Sequence, residues 1–410
     1  MQNIVTLGIF SNERRMRTML KKMALKLALR HWKKGGFSVV FWDGEEENYG
    51  DTPPSFKVIF RKEPPLKLNS QDIILTMGEA YMDGIIDFEG SMDDIMRVVA
   101  LNTQSDQSQN HDTSLVDAPD CKHQQQNIHH HYDLGNNFFS LWLDKTMCYS
   151  CAYFLTPEDS LEQAQLQKID HILKKLNLKP GERLLDIGCG WGWLIIRAAQ
   201  QYKVRATGIT LSTEQYNAVT TRIKKLGLED QLQVKLINYL ELDSTKLQFD
   251  KIVSVGMFEH VGKSNLGRYM NKVNELLVPG GTSLLHTITG TFEDPANTWI
   301  AKYIFPGGYA PSMRETVWLL PQYDFHLIHA ESLRLHYAMT LDCWYANFSK
   351  HLDTIRDMFD ERFIRMWSLY LRGCAAAFRA SGLDIYQLLF TKGLNNELPL
   401  TNAYMYNKCD

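Results

Sequence analysis

No stretch of this 410-residue chain approaches the ~20 consecutive apolar residues a membrane-spanning helix needs. The apolar stretches near the N-terminus are broken by Lys and Arg, so no signal peptide is expected. Cysteine is sparse: seven residues, scattered and odd in number, exclude a disulfide-built scaffold and fit a reducing compartment. Cytoplasmic location is the resulting expectation. Cys148 and Cys151 form a C-x-x-C pair near His129, His130 and His131, but no second pair follows. A tetrahedral metal site needs four convergent ligands, so no metal is expected. Charge of either sign is nearly balanced at −3, which argues against bulk nucleic-acid binding.

What is present is an ordinary globular composition, 44% hydrophobic and 22% charged, in a chain long enough for two buried cores. Residues 102–126 are polar, short of aromatics and without period. Such a stretch cannot bury enough apolar area to offset its ordering entropy, so it reads as a flexible linker. It separates a small domain, 1–101, from a larger one, 127–410.

The small domain opens on a basic helix pattern. Arg14, Arg15, Arg17, Lys21, Lys22, Lys26, Arg30, Lys33 and Lys34 are interleaved with Met16, Leu20, Met23 and Leu27 at helical spacing. Two readings stand: a helix lying on an anionic membrane surface, or a core-packed helix with a solvated cationic face. Strands are expected at Phe37–Trp42 and Phe56–Arg61, and the domain's second half is strongly acidic. The class is small α+β.

The large domain alternates strand and helix. Strands are expected at Arg183–Ile187, Val204–Thr210, Gln231–Ile237, Phe249–Gly256 and Thr282–Ile288. Ser160 with Gln163 is a capping-box start to a helix that Pro180-Gly181 stops, and a second helix runs from Ser212 to Leu226. This alternation predicts an α/β fold with a mostly parallel sheet. Late strands at Phe325–Arg334 and Ile385–Lys392 bracket helical segments at Met339–Phe359 and Phe363–Ser381, large enough for a lid or substrate tunnel.

One stretch carries most information. Leu184-Leu185-Asp186-Ile187-Gly188-Cys189-Gly190-Trp191-Gly192 is an apolar strand ending in an acid, followed by glycines at alternate positions. Glycines there let backbone N–H groups approach a ligand closely. Asp186 can accept hydrogen bonds around a nucleoside-bearing ligand. The spacing D-x-G-x-G-x-G differs from the pyrophosphate-binding G-x-G-x-x-G. It suits a ligand without phosphates, S-adenosylmethionine foremost; the bland alternative is a plain strand-to-helix turn. Glu259 and His286 lie at or near the ends of the fourth and fifth strands, where sites in such sheets assemble. Equally, His286 could be a satisfied buried histidine and Glu259 a helix N-terminal acid.

Further segments converge. They are His131-Tyr132-Asp133 with Asn137-Phe138-Phe139; Tyr149-Ser150-Cys151-Ala152-Tyr153-Phe154; and Gly208-Ile209-Thr210-Leu211-Ser212 with Glu214-Gln215. Phe258-Glu259-His260-Val261-Gly262, Leu285-His286-Thr287-Ile288, Tyr303-Ile304-Phe305-Pro306 with Gly308, and Cys374-Ala375 with Ala377-Phe378-Arg379 complete the set. Together they resemble the cyclopropane fatty acid synthases, which include the mycolic acid cyclopropane synthases, densely over residues 127–400. The small domain resembles, more weakly, the extra domain of bacterial phospholipid-acting members.

The resemblance implies a Rossmann-like class I methyltransferase sheet with a helical lid insertion. It implies S-adenosylmethionine as methyl donor, a cis-unsaturated acyl chain of a membrane phospholipid as substrate, a cyclopropane ring as product, and a homodimer. Donor-binding residues carried over are Tyr149, Ser150, Gly188, Gly190, Gly192, Thr210, Gln215 and Tyr239, which join Asp186. Thr210 stands where many methyltransferases end the second strand in an acid, and this family shows the same departure. Tyr239 stands where relatives often have Trp. A bicarbonate ion is implied as base, cradled by Cys151, Glu259, His286, the Ile288 backbone and Tyr345. A carboxylate beside that anion is tolerable if Glu259 is protonated or His286 positively charged. Cys374 has been discussed in the family as a catalytic thiol, although the chemistry needs none. Tyr149, Tyr153, Tyr303, Trp344, Tyr345 and Trp367 can stabilise a cation through their ring faces or simply fill the core. The same scaffold also fits a lipid C-methyltransferase with a branched or oxygenated product, and, from another class, a lipid-binding or transfer protein.

Overall fold

The computed structural model describes residues 2–65, 72–103, 134–293 and 297–406, with side chains from residue 16 onward. The polar stretch read as a linker lies outside the described residues from 104 onward, as do His129, His130 and His131. The chain divides into two compact units: Met1–Thr113 with Asn297–Trp299 and Thr354–Ser381, and Ser114–Ala296 with Ile300–Asp353 and Gly382–Asp410.

In the N-terminal unit, β1 (Gly36–Val40), β2 (Glu46–Gly50), β3 (Phe56–Phe60) and β4 (Ile86–Gly90) form a sheet in the order β2-β1-β3-β4. β1 and β3 are parallel and the outer pairs antiparallel. The basic helix spans Gln2–Leu29. Leu25 and Leu29 bury in the same core as Phe37, Val39 and Phe41. Its lysines do not simply face water. Lys21 pairs with Glu63 at 2.8 Å, Lys22 with Asp43 at 2.5 Å, and Lys26 with Glu45 at 2.7 Å and Glu47 at 2.8 Å. The outward stripe is apolar instead: Met16, Met19, Leu20, Met23 and Leu27 are all exposed. Acids of the same unit thus pair with Lys21, Lys22 and Lys26 of the basic helix.

The helix Glu361–Ala380 counts with this N-terminal unit, although the sequence reading placed it in the large domain. The reason is polar as well as apolar. Arg365 donates to Ile86 O at 2.9 Å and to Asp87 at 2.6 Å, and Arg379 pairs with Asp93 at 2.8 Å. Ala376 is fully buried in the unit's core, where a small side chain permits close approach.

In the C-terminal unit, β5 (Arg183–Ile187), β6 (Arg205–Thr210), β7 (Leu232–Leu236), β8 (Phe249–Val255), β9 (Leu277–Thr289), β10 (Phe325–Ser332) and β11 (Asp384–Lys392) form a seven-stranded sheet. The order is β10-β11-β9-β8-β5-β6-β7. β5 to β9 pair in parallel; β11 runs antiparallel to both β9 and β10. β9 begins at Leu277, so the strand expected from Thr282 starts five residues earlier and includes Pro279-Gly280-Gly281. Apolar cores cover both faces, as a parallel sheet requires. The helices Leu161–Leu176, Trp193–Tyr202 and Thr213–Leu226 contribute to one core and Leu266–Leu276 to the other. Ser160 caps its helix by accepting from Gln163 N, as the sequence predicts. The crossover helices leave the C-terminal ends of β5, β6 and β8 on one side of the sheet, where a ligand crevice forms.

Candidate active site

β5 delivers Asp186 to that crevice, and the turn beyond it supplies the glycines. Gly188, Gly190 and Gly192 adopt φ of +85°, +53° and +79°, a region other residues avoid. Their surroundings differ. A Cβ on Gly192 would meet Val219 at 2.8 Å and one on Gly188 would meet Met257 at 3.1 Å, whereas one on Gly190 would meet nothing within 4 Å. The first two are packing requirements; the third leaves open space beside a pocket. All nine residues expected to bind the donor line this pocket: Tyr149, Ser150, Asp186, Gly188, Gly190, Gly192, Thr210, Gln215 and Tyr239.

The polar groups are pre-arranged. Thr210 Oγ1 donates to Gln215 Oε1 at 2.7 Å and accepts from Ser212 N at 3.1 Å. This pins the Gln215 oxygen and leaves its amide N–H groups as donors, a neutral replacement for the acid that commonly ends this strand. Burial lifts the Asp186 carboxyl to about 7, opposed by the nearby Lys168 ammonium. Tyr149 packs among rings, with centroids 5.6 Å from Phe139, 5.3 Å from Trp142 and 5.2 Å from Trp344. These features fit a nucleoside-bearing, phosphate-free cation: open backbone, neutral donors, an acid and electron-rich faces.

Two candidate base residues adjoin the pocket lining: Glu259 precedes the lining residue His260, and His286 pairs with the lining residue Val255 across β8 and β9. Glu259 Oε1 accepts from Ile288 N at 2.6 Å. Its Oε2 is buried without a hydrogen-bond partner. Burial raises the Glu259 carboxyl above its ordinary range, with the Ile288 N–H opposing, so the neutral acid is favoured. His286 is wholly buried; desolvation, reinforced by the Lys168, Lys175 and His171 charges, pushes it well below its ordinary value. Both effects disfavour a positively charged His286. Gly256, a pocket residue, donates to His286 O at 2.9 Å. Cys151 is buried and its thiol pushed up by desolvation, which keeps it a thiol. Its neighbour Ala152 donates to Thr340 Oγ1 at 3.0 Å, on the helix Arg334–Lys350 that also carries half-buried Tyr345. Cys374 belongs to the N-terminal unit, with its thiol pushed up to about 12 by burial. Among the described residues, no cluster of three or more His, Cys, Asp or Glu could hold a metal.

Sequence reasoning assigned no role to two ionisable residues that also line the pocket, Lys168 and His260. Lys168, 3% exposed, donates to Ser150 Oγ at 2.9 Å. Its signal was present: Gln165, Lys168 and Lys175 recur at helical spacing within the apolar face of the 161–176 helix. His260 also lines the pocket, and burial pushes it down to about 4.

Comparisons with known proteins identify the family. Residues 120–388 match the family of mycolic acid cyclopropane synthetase, and residues 24–111 match a domain of unknown function. A probable fatty acid methyltransferase of Pseudomonas putida is 37% identical over 89% of this chain and 95% of its own. The cyclopropane-fatty-acyl-phospholipid synthase of Escherichia coli K12 is 44% identical over 65% of this chain and 68% of its own. The crystal structure of mycolic acid cyclopropane synthase CmaA1 complexed with SAH and CTAB is similar over 65% of this chain and 98% of that one, with 36% identity and a TM-score of 0.62. With the family matched over residues 120–388 and relatives of this identity and coverage, the chain belongs to the mycolic acid cyclopropane synthetase family and is an S-adenosylmethionine-dependent methyltransferase.

Proposed function

We propose that the protein is a cyclopropane-fatty-acyl-phospholipid synthase, acting on cis-unsaturated acyl chains of membrane phospholipids. When bound, S-adenosylmethionine supplies an electrophilic methyl group and bicarbonate a base. An alkene is a weak nucleophile, so much of the acceleration comes from holding it close to the methyl and in line. The double bond takes the methyl as the sulfur keeps the electron pair of the broken S–C bond, leaving a carbocation in the chain. Loss of a proton from the new methyl returns its C–H pair as the last ring bond. Tyr149, with Trp142 and Trp344 around it, offers ring faces to the cation. Glu259 and His286 hold the base, with Ile288 N fixing the Glu259 carboxyl; Cys151 and Tyr345 complete the cradle. Cys374 needs no chemical role.

One observation carries this reading: Glu259 Oε2 and His286 Nε2 are buried polar atoms without hydrogen-bond partners, on residues that adjoin the pocket-lining His260 and Val255. Such atoms cost free energy unless a bound polar group satisfies them. A neutral acid and a neutral imidazole together suit an anion. The fatty acid methyltransferase name of the Pseudomonas relative, which aligns with nearly the whole chain, favours a second reading with a branched product. Incubation with labelled donor and unsaturated phospholipid vesicles, with bicarbonate present and withheld, separates the two. Ring-bearing chains that depend on bicarbonate support the first; branched chains without a ring support the second.

The N-terminal unit is proposed to bring the enzyme to the bilayer. The Met16, Met19, Leu20, Met23 and Leu27 stripe supports apolar insertion, with Arg17, Lys33 and Lys34 exposed toward an anionic surface. Among the described residues no helix is long and apolar enough to cross a membrane. A cytoplasmic, peripherally membrane-associated homodimer is the proposed working form.

A further inference from the structure

β11 places Gln387 opposite His286 of β9. The buried Gln387 side chain bridges two groups. Its Oε1 accepts from Lys175 Nζ at 2.8 Å, and its Nε2 lies 3.3 Å from His286 Nδ1. An ammonium can only donate, so the oxygen end of the amide must face Lys175. The N–H end then faces the imidazole, where only an unprotonated Nδ1 can receive it. A neutral imidazole in that state carries its proton on Nε2, the buried nitrogen with no protein partner. Lys175 is held in turn: Glu331 Oε2 lies 2.5 Å from its Nζ and 2.7 Å from His171 Nε2. The Lys175 side chain is 0% exposed. A buried ion pair is weak evidence for stability, because apolar side chains of similar volume often serve as well. Its orienting effect on Gln387 is what an apolar pair could not supply.

We propose that Lys175 and Gln387 are positioning residues that lock His286 in the Nε2–H tautomer, so that the cradle presents a neutral N–H donor to its anion. This rests on the anion-cradle reading of Glu259 and His286 and names what sets its polarity. A neutral donor orients a basic anion without handing it a full proton, whereas an imidazolium would protonate it and remove the base.

The test uses the full chain labelled with 15N-histidine, the His286 signals being assigned by their loss in His286→Ala. Wild type is expected to show a protonated Nε2 and a bare Nδ1. Gln387→Glu sets a carboxylate opposite Nδ1 and should move the proton there or add a second one. Lys175→Met frees the amide to turn and should mix the tautomers, whereas Lys175→Arg keeps the donor and should keep the wild-type state. In turnover, ring product per methyl donor consumed should fall roughly threefold or more in Gln387→Glu and Lys175→Met but not in Lys175→Arg. A merely structural role would lower both quantities together. Should Gln387→Glu fail to fold, Lys175→Met carries the test. A wild-type His286 protonated on Nδ1, or a tautomer unmoved by the folded variants, overturns the inference. Wild-type product formation indifferent to bicarbonate overturns the cradle reading instead, and leaves the tautomer result standing.

Discussion

Replacing Gly190 and Gly192 separately by alanine distinguishes a ligand requirement from a packing requirement within one turn. Both residues are left-handed, at φ +53° and +79°, which costs an alanine about 1–2 kcal/mol. At Gly190 nothing stands within 4 Å of the new Cβ, so backbone strain is the whole stability cost. At Gly192 the Cβ would lie 2.8 Å and 3.0 Å from the two Val219 methyl carbons, which adds overpacking of about 1–3 kcal/mol. For a unit of this size each kcal/mol lowers the melting temperature by roughly 2–4 °C. Gly190→Ala should therefore melt a few degrees low, and Gly192→Ala about twice as far down. Binding should rank the other way relative to stability. The Gly190 methyl occupies space in the pocket that a bound nucleoside needs, so S-adenosylhomocysteine affinity should drop about tenfold or more, at least ~1.4 kcal/mol. Calorimetric titration with thermal melts of the same samples reads both. Wild-type affinity in a folded Gly190→Ala variant would refute the placement of the donor over this turn.

Three further outcomes follow from the same geometry. Because burial raises Asp186 to about 7, the native state keeps its proton where the unfolded chain has lost it. Ligand-free stability should thus fall as pH rises from about 4 to about 7, by on the order of 1.4 kcal/mol per unit at most. Asp186→Asn should flatten that slope in melts across the range; an unchanged slope contradicts the assignment. Thr210→Val removes the hydroxyl that pins Gln215, so S-adenosylhomocysteine should bind about three- to tenfold more weakly in a calorimetric titration; unchanged affinity would remove Gln215 from the donor site. Paired Met19→Glu and Met23→Glu changes should reduce vesicle cosedimentation while activity on detergent-dispersed substrate persists. Salt should matter less than the density of basic residues suggests, since Lys21, Lys22 and Lys26 are already paired. Full vesicle binding by that double variant would redirect attention from the stripe.

The pocket proposed for the donor was legible because its features are local. Asp186, the alternating glycines and the Thr210–Gln215 pair each lie within a few residues of a strand end. Less legible was whatever depends on distant partners. β2 escaped notice because Glu46-Glu47-Asn48-Tyr49 lacks an apolar alternation; only Tyr49 of it is buried. The 361–380 helix carries no sequence mark of the carbonyls and acids that tie it to the N-terminal unit. The basic helix read as a membrane-facing or solvated cationic face, because the acids that neutralise it arrive from the turn and strand that follow. Lys168 and Lys175 drew no reading, although their spacing places them on the buried face of their helix.

Proton NMR of lipids recovered after incubation with S-adenosylmethionine, unsaturated phospholipid vesicles and controlled bicarbonate tests the central claim most directly. The ring methylene should appear in step with donor consumption and decline as bicarbonate is withdrawn. Donor consumption that yields only branched or untouched chains, whatever the bicarbonate concentration, would contradict it.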